Sequence, residues 1–128
     1  MLSLLHCAHG AGHGVYHALE TLSQLVAFDF DRNAYTIERA PVRVADAPRF
    51  PPRQLMIDTS RHYYPVEVIL QHLDAMAYSK FNVLHWHVVD SVSFPYQSKA
   101  FPEMSRAGAW SPDHVYTADD ITAVVAYA

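Results

Sequence analysis

The chain of 128 residues contains a single cysteine, Cys7, so no internal disulfide can form and no disulfide framework holds the fold. It also lacks a basic excess. Its net charge is −4 with histidine neutral, which gives no electrostatic footprint for nucleic acid, and none is expected as a partner. No apolar run approaches the roughly 18 residues of a membrane-spanning helix. Met1 to Cys7 is apolar but short, with neither a basic leader nor a cleavage signal, so no signal peptide is expected. What remains is a hydrophobic fraction of 51% and a charged fraction of 17%, the balance of a globular chain with one modest core. Nine histidines make its charge sensitive to pH between about 5 and 8.

Residues 1–13 form a lead rich in His, Ala and Gly to which no structure is assigned. Val15, Leu19, Leu22, Leu25 and Val26 then recur at helical spacing and predict an amphipathic helix from Val15 to Leu25 that must pack against something. Ala27 to Ile37, with Asp31-Arg-Asn33 as a turn signal, predicts a hairpin. Pro41, Pro48, Pro51 and Pro52 exclude a helix interior and mark an extended linker, where a domain boundary is expected.

Leu55 to Ile57 is short enough to be a strand. Pro65 stands where a helix has its first position. Val66, Ile69, Leu70, Leu73, Met76 and Ala77 give that helix its apolar stripe. Phe81 to Val89 reads as a strand covered on both faces, as in a parallel sheet. Residues 91–116 read as a long connection interrupted by Pro95, Pro102 and Pro112. Thr117-Ala-Asp-Asp120 reads as a capping box with Asp in place of Glu, opening a last helix. Strand, helix, strand, loop, helix is the order of parallel βα units.

The apolar runs at 55–57 and 83–89 both end in charged and hydroxyl residues. In parallel α/β folds ligands bind beyond the carboxyl ends of the strands, which makes Asp58, Arg61 and Asp90 the first candidates for chemistry. Arg61 offers a rigid fork of donors, or alternatively pairs with Asp58 to fix a turn. Asp90 reaches into a site, or alternatively caps a turn with Ser91 and Ser93 nearby. His85 and His87 form a His-x-His pair of the kind that can bind a metal. Strand alternation puts Asp90 on the other face, with Trp86 and Val88, so packed histidines are preferred and no metal site is assigned.

Asp58-Thr-Ser-Arg-His-Tyr, Asp74-Ala-Met-Ala-Tyr, Asn82-Val-Leu-His-Trp-His, Phe94-Pro-Tyr and Phe101-Pro-Glu closely resemble the β-N-acetylhexosaminidases of glycoside hydrolase family 20, as does Leu19-Glu-Thr-Leu-Ser-Gln-Leu25. The likeness runs from Gly14 to Ala128. It implies an α/β fold: residues 14–52 as the end of a small N-terminal α/β domain with its Pro-rich linker, and residues 53–128 as the first two βα units of a (β/α)8 TIM barrel. Leu55, Ile57, Leu84 and Val88 are then expected to face the barrel interior.

The resemblance further implies hydrolysis of terminal non-reducing N-acetylglucosamine or N-acetylgalactosamine from glycans or glycoconjugates, with retention. The substrate's own acetamido oxygen is the nucleophile, and no cofactor is expected. Arg61 and Asp90 match substrate-binding positions. The family's adjacent catalytic Asp and Glu, one orienting the acetamido group and the other serving as acid and base, have no counterpart, since no Asp-Glu dipeptide occurs in the chain. Asp119-Asp120 falls instead in a predicted first helical turn, where carboxylates suit the macrodipole. The chain thus reads as a fragment that stops before the catalytic pair and is inactive alone. Family members are often dimeric, and lysosomal or secreted. Two alternatives are a metal-dependent barrel hydrolase using His85 and His87, and a non-catalytic sugar-binding piece. Two departures stand out: Gln54 and Ser91 occupy positions where the family usually has Gly and a second acid.

Overall fold

The computed structural model of the chain describes residues 12–128; residues 1–11 of the 1–13 lead, Cys7 among them, lie outside the described residues. The chain divides into two compact units between Pro51 and Pro52.

In the first unit, α1 (His13–Leu25) begins two residues ahead of the expected helix. Val15 and Leu19 of its apolar stripe stay exposed. The only other regular structure described in this unit is a hairpin, β1 (Ala27–Asp29) and β2 (Ala34–Thr36), paired antiparallel. Asp29 Oδ1 accepts from the N–H groups of Asp31 and Arg32, and Asn33 takes φ 50°, so the turn forms at the expected residues. Residues 37–53 contain no helix or strand.

The second unit carries β3 (Gln54–Asp58), α2 (Val66–Tyr78), β4 (Val83–His87), α3 (Pro102–Gly108) and α4 (Ala118–Tyr127). β3 and β4 are parallel, with Leu55 opposite Leu84, Met56 opposite His85, Ile57 opposite Trp86 and Asp58 opposite His87. Pro65 is the residue before α2 rather than its first, because its ψ of 152° is extended. At the other end Lys80 takes φ 59°, Phe81 N–H reaches Met76 O (2.8 Å) and Lys80 N–H reaches Ala77 O (3.1 Å). These two bonds close the helix's last carbonyls and turn the chain into β4. Gln54 lies in extended strand, so this backbone makes no demand for glycine there.

Two features depart from expectation. The connection 91–116 is not wholly irregular. Phe101-Pro-Glu starts α3, with Pro102 in the first turn, Glu103 near its N-terminus and Arg106 in its last turn. The strands also face the other way from the reading above. Ile69, Tyr116 and Val124 form the buried cluster, with Leu70, Leu73, Leu84, Trp86, Val88 and Ile121 packed on it. Leu84 and Val88 therefore point at the helices, and Ile57 is buried. The opposite face, with Met56, Val83 and His85, is exposed rather than covered.

Tyr116, in the stretch read as loop, is wholly buried. It stacks on Tyr63 at 4.7 Å and meets Trp86 edge-on at 4.9 Å. Its hydroxyl donates to Tyr64 O (2.5 Å) and accepts from Tyr64 N–H (3.3 Å). Burial pushes this phenol up to about 12. The capping box of α4 forms as read: Asp120 N–H donates to Thr117 Oγ1 (3.1 Å) and Thr117 N–H to Asp120 Oδ2 (2.8 Å). Asp119 and Asp120 thus sit in a first turn.

Candidate functional site at the strand ends

β3 and β4 end level with each other, at Asp58 and His87. Three residues beyond each end the chain returns a side chain over the sheet edge: Arg61 from β3 and Asp90 from β4. Arg61 Nη1 lies 2.9 Å from Asp58 Oδ2 and 2.7 Å from Asp90 Oδ2. His87 Nε2 lies 2.9 Å from the same Asp90 oxygen and 3.2 Å from Arg61 Nη1. Only an Nε2–H tautomer can donate to that carboxylate, so His87 and Arg61 are two donors converging on one oxygen. All three candidates, Asp58, Arg61 and Asp90, are brought together, and the pairing of Arg61 with Asp58 coexists with its contact to Asp90.

His87 is the member that sequence reasoning missed. Alternation had put Asp90 on the opposite face, but β4 ends at His87, and the loop after it carries Asp90 back. The two strand-end i,i+3 pairs, Asp58 with Arg61 and His87 with Asp90, were the available signal.

Local bonds explain why each turn folds this way. Asp58 Oδ1 accepts from the N–H groups of Ser60 (3.0 Å) and Arg61 (3.1 Å). The Arg61 backbone N–H is the main reason that the Asp58 carboxyl is held below its ordinary range; partial desolvation opposes it, and the guanidinium charge adds to it. Ser93 and Asp90 exchange backbone bonds (3.0 and 3.3 Å), closing the second turn. Asp90 is lowered to about 2, first by the Ser91 backbone N–H and then by His87.

Beneath Arg61, Thr59 and Ser60 are fully buried. Trp86 Nε1–H donates to Thr59 Oγ1 (2.9 Å), Ser60 Oγ donates to Ser93 O (2.9 Å), and Trp110 Nε1–H donates to Ser60 O (3.2 Å). Arg61 itself is 53% exposed at its side chain. Both its ion pairs run through Nη1, so among the described residues Nε and Nη2 stay available to an acceptor. Two carboxylates and a guanidinium in one open cluster offer donors and acceptors together, the chemistry that grips vicinal hydroxyls.

The rings of His85 and His87 are 6.3 Å apart, His85 is exposed rather than packed, and His87 Nε2 faces Asp90. Among the described residues, no group of three or more His, Cys, Asp and Glu is placed to hold a metal ion. Nor, among them, is any helix long and apolar enough to cross a membrane.

The family model described as "Glycosyl hydrolase family 20, catalytic domain" matches residues 50–128. The mouse protein "Beta-hexosaminidase subunit beta" is 55% identical over 115 residues, covering 90% of this chain and 21% of that protein. "Beta-hexosaminidase A" of Caenorhabditis elegans is 50% identical over 115 residues, covering 90% and 20%. The chain thus spans about a fifth of the length of these curated relatives. Among solved structures, the chitobiase of Flavobacterium johnsoniae superposes with a TM-score of 0.75 at 37% identity, over 89% of this chain and 16% of that one. A Vibrio harveyi GH20 exo β-N-acetylglucosaminidase in complex with N-acetylglucosamine superposes with a TM-score of 0.73 at 28% identity, over 93% and 21%.

Proposed function

The chain belongs to glycosyl hydrolase family 20, and on that premise we propose that it contributes the sugar-gripping opening of a β-N-acetylhexosaminidase barrel. The whole enzyme removes terminal N-acetylglucosamine or N-acetylgalactosamine from glycans, with retention and through the substrate's acetamido group. Residues 14–52 end a leading α/β domain, and residues 53–128 supply the first two βα units of a (β/α)8 barrel. The parallel register of β3 and β4, with helices on the Leu84 face and Met56, Val83 and His85 on the other, supports this reading. In a closed barrel the second face lines the interior.

The observation that carries the proposal is the contact of Arg61 with Asp90 at the carboxyl ends of both strands. In this reading Arg61 donates to hydroxyls of the terminal sugar and Asp90 accepts from them. The acid and base come from an Asp-Glu pair that residues 1–128 do not contain.

The test replaces the matching 115-residue stretch of the mouse relative by that of this chain and follows hydrolysis of a chromogenic N-acetylglucosaminide. Turnover by the graft, lost on Arg61→Lys, supports the proposal. A folded but inactive graft overturns it, and so does an Arg61→Lys graft with undiminished turnover.

A further inference from the structure

Ser60, the residue before Arg61, is held by contacts that no catalytic role accounts for. Phe94 N–H donates to Gly108 O (2.8 Å), and a Cβ on Gly108 would stand 3.0 Å from Phe94 Cβ. This close approach brings the end of α3 against the segment that follows Asp90. Two residues on, Trp110 is 64% exposed, yet its indole N–H is spent on Ser60 O (3.2 Å). Ser60 Oγ in turn donates to Ser93 O (2.9 Å), and Ser93 exchanges backbone bonds with Asp90. The bonds form a closed ring: Arg61 to Asp90, Asp90 to Ser93, and Ser93 to Ser60, with Trp110 fastened to Ser60 from outside.

An exposed tryptophan normally satisfies its N–H with water. Here it bonds the carbonyl of the residue immediately before Arg61. We propose that Trp110 is a positioning residue, whose indole N–H fixes the Ser60 carbonyl and thereby the direction in which Arg61 meets Asp90 and the sugar. The sugar part rests on the role of Arg61 given above; the direction of Arg61 does not. Trp110 touches neither carboxylate, so it sets how well the guanidinium is aimed rather than its charge. A site held within about half an ångström needs such supporting bonds.

The experiment compares the 128-residue chain with Trp110→Phe, which keeps an aromatic ring and removes the donor, by 15N NMR. Glu103→Gln, which weakens an exposed ion pair on α3, serves as the control. In Trp110→Phe the Arg61 guanidinium signals shift and broaden, and in Glu103→Gln they stay. Titration with N-acetylglucosamine shows affinity falling roughly three- to tenfold in Trp110→Phe, the range of one neutral hydrogen bond. Unmoved Arg61 signals in Trp110→Phe overturn the proposal. If Arg61→Lys leaves the sugar affinity unchanged, the role of Arg61 falls, and the Arg61 signals alone then decide the role of Trp110. Should Trp110→Phe lose cooperative unfolding, solvent exchange of the Trp110 indole proton in the unaltered chain decides. Exchange as slow as that of the Phe94 amide supports the clamp, and exchange at the rate of a free indole overturns it.

Discussion

Arg61 Nη1 and Asp90 Oδ2 meet at 2.7 Å, each three residues past the end of one of two parallel strands whose last residues, Asp58 and His87, are register partners. The charges alternate around this junction. Acid ends β3 and a base follows it; imidazole ends β4 and an acid follows it. Each strand end thus offers its neighbour the complementary partner, and a one-residue slip of register would separate the pair.

Replacing Arg61 by Lys keeps the charge and loses the planar fork. In the grafted enzyme kcat/KM falls by roughly ten- to a hundredfold, the range of one charge-assisted hydrogen bond lost in the transition state. Steady-state kinetics check this, and a fall of less than twofold removes Arg61 from the sugar site.

Residues 1–128 expressed alone do not hydrolyse a chromogenic N-acetylglucosaminide, because no Asp-Glu pair is encoded. Turnover above buffer that persists after repurification would show that another acid in this chain serves.

Both site carboxyls are held below their ordinary range, Asp90 at about 2. A depressed carboxyl stabilises the fold above its unfolded value, about 3.9, and that contribution disappears as the pH falls through the folded value. The unfolding midpoint therefore drops between about pH 4 and pH 2, and it drops less in Asp90→Asn. Parallel midpoint curves for the two proteins across that window would contradict the assignment. Tyr116 works in the opposite direction. Its phenol is raised to about 12, so its contribution is intact below the unfolded value near 10 and disappears as the pH rises through 12.

Two serines one bond apart should respond differently to removal. Ser93 Oγ is buried with no partner among the described residues. Ser93→Ala is expected to leave stability unchanged or to raise it by up to about 1 kcal/mol, since a buried unpaired hydroxyl is a net cost. Ser60→Ala removes a donor from Ser93 O and lowers stability by about 0.5–1.5 kcal/mol. Urea unfolding of both variants measures the difference, and equal losses would refute it.

In the core, Ile69→Ala should cost about 2–5 kcal/mol, because Ile69 is wholly buried among Tyr116 and Val124. Tyr116→Phe should cost about 1–3 kcal/mol by leaving the Tyr64 backbone unpaired. Chemical denaturation reads both, and a loss under 0.5 kcal/mol for Ile69→Ala would place the core elsewhere.

Elements stabilised by neighbours in sequence were legible without a structure. The 3.6-residue stripe from Val66 to Met76 spelled out α2, and Thr117 with Asp120 spelled out the start of α4, because helical periodicity and capping are set within a few residues. Asp58, Arg61 and Asp90 were legible as candidates because an apolar run that stops abruptly in charge marks a strand end. The sequence could not say which face of β3 and β4 meets the helices. Leu55 and Met56 are both apolar, as are Val83 and Leu84, so alternation carries no contrast, and the packing of α2 and α4 on Leu84 decides it. Nor could it reveal that His87 shares a carboxylate with Arg61, that Trp110 reaches Ser60, or that Tyr116 fills the core. Apart from the local His87–Asp90 bond, each of these contacts joins residues distant in the chain, and each depends on where a strand stops and how the next loop folds back. Local sequence sets which residues can bond there, whereas the parallel register and the close approach of Gly108 to Phe94 determine which of them meet.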